Sequence, residues 1–143
     1  MKKLLLILSV LLLASCSSDD DSGDVVNNEF EEIETIVPQG TWEVTNYTEG
    51  ETNLTASFES FIFTFNEDGT VFGENDLFAE NGTWAYDNSS TEEERFNLQF
   101  GQTTPFDLIS ENWVISSLNN NEVQLMVTSG NNGEPETLTF TKL

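Results

Sequence analysis

The chain has 143 residues, room for one domain and little more, and sets 26 Asp and Glu against 4 Lys and Arg for a formal charge of −22. It has one Cys and no His, which removes histidine-based catalysis, the usual zinc and copper sites and an internal disulfide. So few cations also exclude a nucleic-acid backbone as partner and disfavour adsorption to an anionic membrane by charge. An apolar core must hold the fold by itself.

Met1-Lys2-Lys3 is a short basic start, and Leu4 to Leu13 is apolar apart from Ser9. A run of this length suits a signal peptide over residues 1–15, since a membrane-spanning helix needs about 20 apolar residues. Leu13-Ala14-Ser15-Cys16 resembles the lipobox of bacterial lipoproteins, in which the Cys thiol receives a diacylglyceryl group and the signal is cut just before it. The resemblance implies that Cys16 is lipidated and that the protein is anchored to a membrane without spanning it. Each buried CH₂ of such an anchor contributes about 0.8 kcal/mol. The alternative is an ordinary secretory signal with an incidental Cys.

Residues 16–27 are polar and acidic through Asp19-Asp20-Asp21 and Asp24, with too little to bury to offset ordering, and read as a flexible tether. A floppy acidic run supplies no fixed cage of oxygens, so no metal is expected there. An acidic patch directly after the lipidated Cys resembles the export signal of some gram-negative lineages. That resemblance implies an outer-membrane location with the domain facing outward; a plain spacer, facing the periplasm, is the alternative.

Residues 28–38 carry Asn28 with Glu31 three positions on, and Phe30, Ile33 and Ile36 or Val37 at helical spacing. This predicts one or two helical turns across the end of a sheet, stopped before Pro38. From residue 39 onward the period is two. Trp42 and Val44 alternate with Thr41, Glu43 and Thr45; residues 47–57 are polar and read as a loop or a ragged strand. Phe61, Phe63 and Phe65 share one face, Asn66-Glu67-Asp68-Gly69 turns the chain, and Thr70-Val71-Phe72 leads back. After a loop, Gly82 to Tyr86 opens a third strand with Trp84 and Tyr86 on one side.

Glu92-Glu93-Glu94 beside Arg95 reads as a solvated connection, and Phe96, Leu98 and Phe100 are again in phase. Phe106, Leu108 and Ile109 are unusually apolar for a connection and fit a lid over a barrel mouth, a plug of one end, or an extra strand. The strand from Trp113 to Leu118 slips phase at Ser116-Ser117, as a bulge makes it do. Asn119 to Asn121 and Gly130 to Gly133 are turns, and Val123, Leu125 and Val127, then Leu138 and Phe140, point inward. About eight short strands fit an all-β sandwich or a closed barrel, and consecutive hairpins favour an up-and-down meander whose closure removes its edges.

Gly40-Thr41-Trp42, Phe63-Thr64-Phe65 followed by Asp68-Gly69-Thr70, Gly82-Thr83-Trp84, and the late Trp113 to Leu118 segment together resemble the lipocalin-like domain of bacterial lipoproteins. The likeness covers residues 39–143. It implies an all-β, eight-stranded up-and-down antiparallel barrel, preceded here by the short helical turn, with a small hydrophobic ligand inside. The candidate interior is Trp42, Phe63, Phe65, Trp84, Leu98, Trp113, Leu125 and Phe140, as a filled core or as the wall of a ligand pocket. Neither a cofactor nor an enzymatic activity is expected, and no protein partner is indicated. The expected function is a membrane-anchored binder of a small apolar ligand; the alternative is a surface-displayed module, with a filled core, that binds protein or glycan.

Overall fold

The computed structural model of the protein describes residues 30–90, 92–130 and 133–143. The signal peptide, Cys16, the tether and the Asn28 cap lie outside the described residues, as do Thr91 and the Asn131-Asn132 tip of the last hairpin.

A single turn of helix, α1 (Ile33–Ile36), precedes nine strands: β1 (Trp42–Glu49), β2 (Thr52–Asn53), β3 (Ile62–Phe65), β4 (Thr70–Glu74), β5 (Ala79–Asp87), β6 (Arg95–Gln99), β7 (Glu111–Asn119), β8 (Glu122–Val127) and β9 (Glu136–Lys142). β1 pairs antiparallel with β3, each strand from β3 to β8 pairs antiparallel with the next, and β9 returns to β1 from Trp42–Lys142 to Glu49–Glu136. The result is a closed, eight-stranded up-and-down barrel, with the two-residue β2 attached to β1 as an extra strand. Closure leaves β1 and β9 without a free edge on their shared side. Across that seam, Thr45 and Thr141, and Thr48 and Thr137, bond hydroxyl to hydroxyl at 2.7 Å.

Period-two alternation positions the core. Phe61, Phe63 and Phe65 are buried while Ile62 between them is exposed, and Val123, Leu125 and Val127 repeat the pattern on β8. Charged and polar side chains such as Glu43, Gln99 and Gln124 face out. An apolar interior with a polar exterior is the inverse of a transmembrane barrel. Gly69 adopts φ 82° in the β3–β4 turn, where Asp68 Oδ1 accepts from the Thr70 amide (3.0 Å) and hydroxyl (2.6 Å). The bonds from Thr70 hold the Asp68 carboxyl below its ordinary range.

Four sequence readings are corrected. β5 begins at Ala79, ahead of Gly82, because residues 75–78 form a tight turn in which Asn75 Oδ1 accepts from the amides of Leu77 and Phe78. A bulge between Val44 and Asn46 shifts the phase of β1, so Tyr47 turns inward and is fully buried. The polar stretch after Tyr47 holds β2 and a 3₁₀ turn, Thr55–Phe58, which buries Phe58. Glu94 is not merely solvated: its Oε2 accepts the Phe30 amide at 2.9 Å. The slip expected at Ser116-Ser117 is present as a register shift between Ile115 and Ser117.

Candidate functional site: the barrel interior and its two closures

The structure buries all eight candidate interior residues, Trp42, Phe63, Phe65, Trp84, Leu98, Trp113, Leu125 and Phe140. Alternation on seven different strands turns them to one axis, where their rings meet edge to face. Phe140 lies 5.2 Å from Phe63 and 5.5 Å from Phe65, and Phe65 lies 5.8 Å from both Trp84 and Phe96. Such pairs add about 0.5–1.5 kcal/mol each beyond the area they bury. The gap among Val37, Trp42, Phe65, Phe96, Val123 and Phe140 has no room for a water molecule. There the interior is side chain, packed on side chain.

Each tryptophan also ties the barrel to a segment outside its strands. Trp42 Nε1 donates to the Val37 carbonyl (2.9 Å), Trp84 Nε1 to Asn66 in the β3–β4 turn (2.9 Å), and Trp113 Nε1 to Ile109 (3.0 Å). A buried indole N–H needs such a partner, and for Trp42 and Trp113 the partner belongs to a segment that closes an end.

One end is closed by α1. Ile33, Ile36 and Val37 enter the core, and the Lys142 ammonium lies 4.9 Å from the centre of the Trp42 ring. Tyr86 sits at this end, and burial, then the charge of Glu94, push its phenol up to about 12. The opposite end is closed by two 3₁₀ turns, Thr55–Phe58 and Phe106–Ile109. Phe106 is fully buried, with ring centres of Phe100 at 4.9 Å, Phe61 at 5.0 Å, Phe78 at 5.9 Å and Phe63 at 6.0 Å. A Cβ on Gly73 would stand 2.2 Å from the Phe106 ring, so β4 needs a glycine where the plug leans on it. Of the three readings of this apolar connection, the plug is the one observed.

The plugged end also collects acid. Glu136 is 2% exposed and pairs across the seam with Glu49. The Tyr47 hydroxyl donates toward Glu49 Oε1 (2.7 Å), with the Leu108 carbonyl at 2.9 Å. Burial, the Glu49 bond and the charges of Glu136, Glu49 and Asp107 push the Tyr47 phenol far above its ordinary value. Sequence reasoning missed Tyr47, Phe58 and this acid group.

No family model and no curated protein matches the chain. Among solved structures, it is similar to a DUF4847 family protein from Bacteroides vulgatus, with 20% identity over 76% of this chain and 96% of that one and a TM-score of 0.53. At that identity the likeness is one of fold. A de novo designed fluorescence-activating β-barrel is similar at 14% identity over 78% of this chain and 98% of the design, with a TM-score of 0.48, too loose a likeness to carry an argument.

Proposed function

We propose that the chain is a lipid-anchored protein of the outer membrane, held by acyl chains on Cys16 and displayed at the cell surface on residues 16–27. Its barrel acts as a non-enzymatic interaction module, a rigid body whose outer surface binds a macromolecule. The packed interior carries the module reading: where Phe65, Phe96 and Phe140 converge there is no space to fill, and the far end is stoppered by Phe106. The polar tether and the Leu13–Cys16 motif support the anchoring.

The second reading is a lipocalin-like carrier of one small hydrophobic ligand held among Trp42, Phe63, Phe65, Trp84, Leu98, Trp113, Leu125 and Phe140. The fold favours it, since eight-stranded barrels hold either side chains or one small ligand. It requires Phe106 and its short connection to swing away.

Native mass spectrometry of the chain from residue 17 onward, purified from its own organism, separates the two. The fragment must keep α1, because Ile33, Ile36 and Val37 belong to the core. The expected result is a bare polypeptide mass. A small molecule that co-purifies and leaves on denaturation overturns the filled-core reading in favour of the carrier. Anchoring is tested separately: Cys16→Ser should move the protein from the membrane fraction to the soluble one.

A further inference from the structure

The turn between β4 and β5 presents apolar surface that the fold does not use. Leu77 is 95% exposed, and Ile62 and Phe72, on the outer faces of β3 and β4, are 41% and 43% exposed. Ile62 pairs with Glu74 and Phe72 with Thr64, so both apolar side chains lie on one patch of the outer wall. A groove of about 660 Å³ runs between Ile62 and Leu77, and Glu59, Glu74 and Asp76 stand along it. Leu77 is held in place: Asn75 Oδ1 accepts its amide at 3.0 Å, and the adjoining Phe78 rests on Phe106. Ser60, which also lines the groove, adopts φ 71°, a backbone conformation costly for a residue with a Cβ.

Charge selects the occupant. The described cations are Arg95, which bridges Glu93, and Lys142, which lies over Trp42. Both belong to the α1 end of the barrel. The groove is at the other end, where no described cation neutralises its rim. A second copy of this chain would bring the same three carboxylates against their equivalents, and an anionic membrane would repel them in the same way. A partner must bring positive charge to the rim and an apolar side chain to Ile62 and Leu77.

We propose that the groove between Ile62 and Leu77 is the docking site for a basic segment of another protein, one that places an aliphatic side chain between them and Lys or Arg on Glu59, Glu74 and Asp76. This rests on the interaction-module reading and gives it a site.

The test is fluorescence polarisation with a labelled seven-residue peptide of alternating lysine and leucine, added to the chain from residue 17 onward, which keeps every described residue. Peptides with leucine replaced by serine, and with lysine replaced by glutamate, are the controls. The lysine–leucine peptide should bind, and the controls should not. Leu77→Ser should weaken binding by about tenfold, as loss of one buried aliphatic contact does. Glu74→Gln with Asp76→Asn should weaken it and flatten its salt dependence, whereas Glu67→Gln, in the turn at the opposite end, should change neither. Leu77 is too exposed for its replacement to unfold the barrel, and an unchanged melting temperature checks this. Binding that the groove variants leave intact overturns the site while the module reading stands. No binding by any peptide overturns the site too, and a ligand found inside the barrel by native mass spectrometry overturns the module reading with it.

Discussion

The two ends of the barrel are closed in different ways. At one, α1 lays Ile33, Ile36 and Val37 across the opening and is tied down by bonds between side chains and backbone: the Trp42 indole to the Val37 carbonyl, and the Phe30 amide to the Glu94 carboxylate. A single helical turn has no stability alone, so this closure exists only while docked. At the other, two 3₁₀ turns insert Phe58 and Phe106, and Phe106 alone meets four other rings. Both closures reach the core, the first with three aliphatic side chains from one helical turn and the second with aromatic rings that meet other rings. The barrel should therefore open first, and most cheaply, at the α1 end.

The sharpest way to break that comparison is to remove one side chain from each closure. Phe106→Ala should cost about 3–5 kcal/mol, the usual range for a fully packed aromatic. Chemical denaturation should show it as a lower midpoint with an unchanged slope. The cavity it leaves is lined by Phe61, Phe63, Phe78 and Phe100 and should stay dry, so a small aromatic solute should restore part of the loss. Ile33→Ala should cost about 2–5 kcal/mol, but with a different signature: faster hydrogen exchange confined to residues 30–42 and no response to the solute. Equal, global effects of the two would erase the distinction.

A smaller effect tests the plug from the opposite wall. Gly73→Ala sets a methyl group 2.2 Å from the Phe106 ring and 3.0 Å from Phe63. Overpacking of this kind costs about 1–3 kcal/mol. In a Phe106→Ala background the nearer clash is gone, so Gly73→Ala should then cost little, and the double-mutant cycle should return a clear coupling between the two positions. Additive losses would mean that the Phe106 ring does not lean on β4.

These closures also explain what was legible in the sequence. Wherever the chain alternates, it declares its face: Phe61-Phe63-Phe65, Phe96-Leu98-Phe100 and Val123-Leu125-Val127 are inward as read. The α1 turn was legible because Ile33 and Ile36 keep helical spacing. Tyr47 was not, because the bulge after Val44 changes phase where Thr45 and Asn46 are both polar. Phe58 sits in a single 3₁₀ turn, too short for any period to show. Phe106 and Ile109 are three apart and so share a face of a 3₁₀ turn, a signal that was present and ambiguous. The eight inward residues were readable from pattern, but whether they enclose a space was not. That depends on volumes brought by loops, above all the Phe106 ring against Gly73, and on no local pattern in the strands.

The smallest effect at neutral pH, and the most direct comparison of the ends, comes from the two tyrosines, one at each. A free phenol ionises near 10. Tyr86, at the α1 end, is pushed up to about 12 by burial and by Glu94, while Tyr47, at the plugged end, is pushed further by deeper burial and the Glu49, Glu136 and Asp107 carboxylates. The sign follows from proton binding. Between pH 10 and the raised values the folded state keeps phenolic protons that the unfolded chain has lost, so stability is intact below pH 10 and declines as the pH rises past it. With only these two tyrosines in the chain, ultraviolet titration reads them without ambiguity. Little phenolate should form at pH 10, one group should ionise near 12 in the folded protein, and the second should appear only with unfolding. Tyr86→Phe should remove the first step and leave the second. If both phenols ionise together near pH 10, the plugged end is as open to water as the α1 end, and the claim that Tyr47 belongs to a sealed core fails.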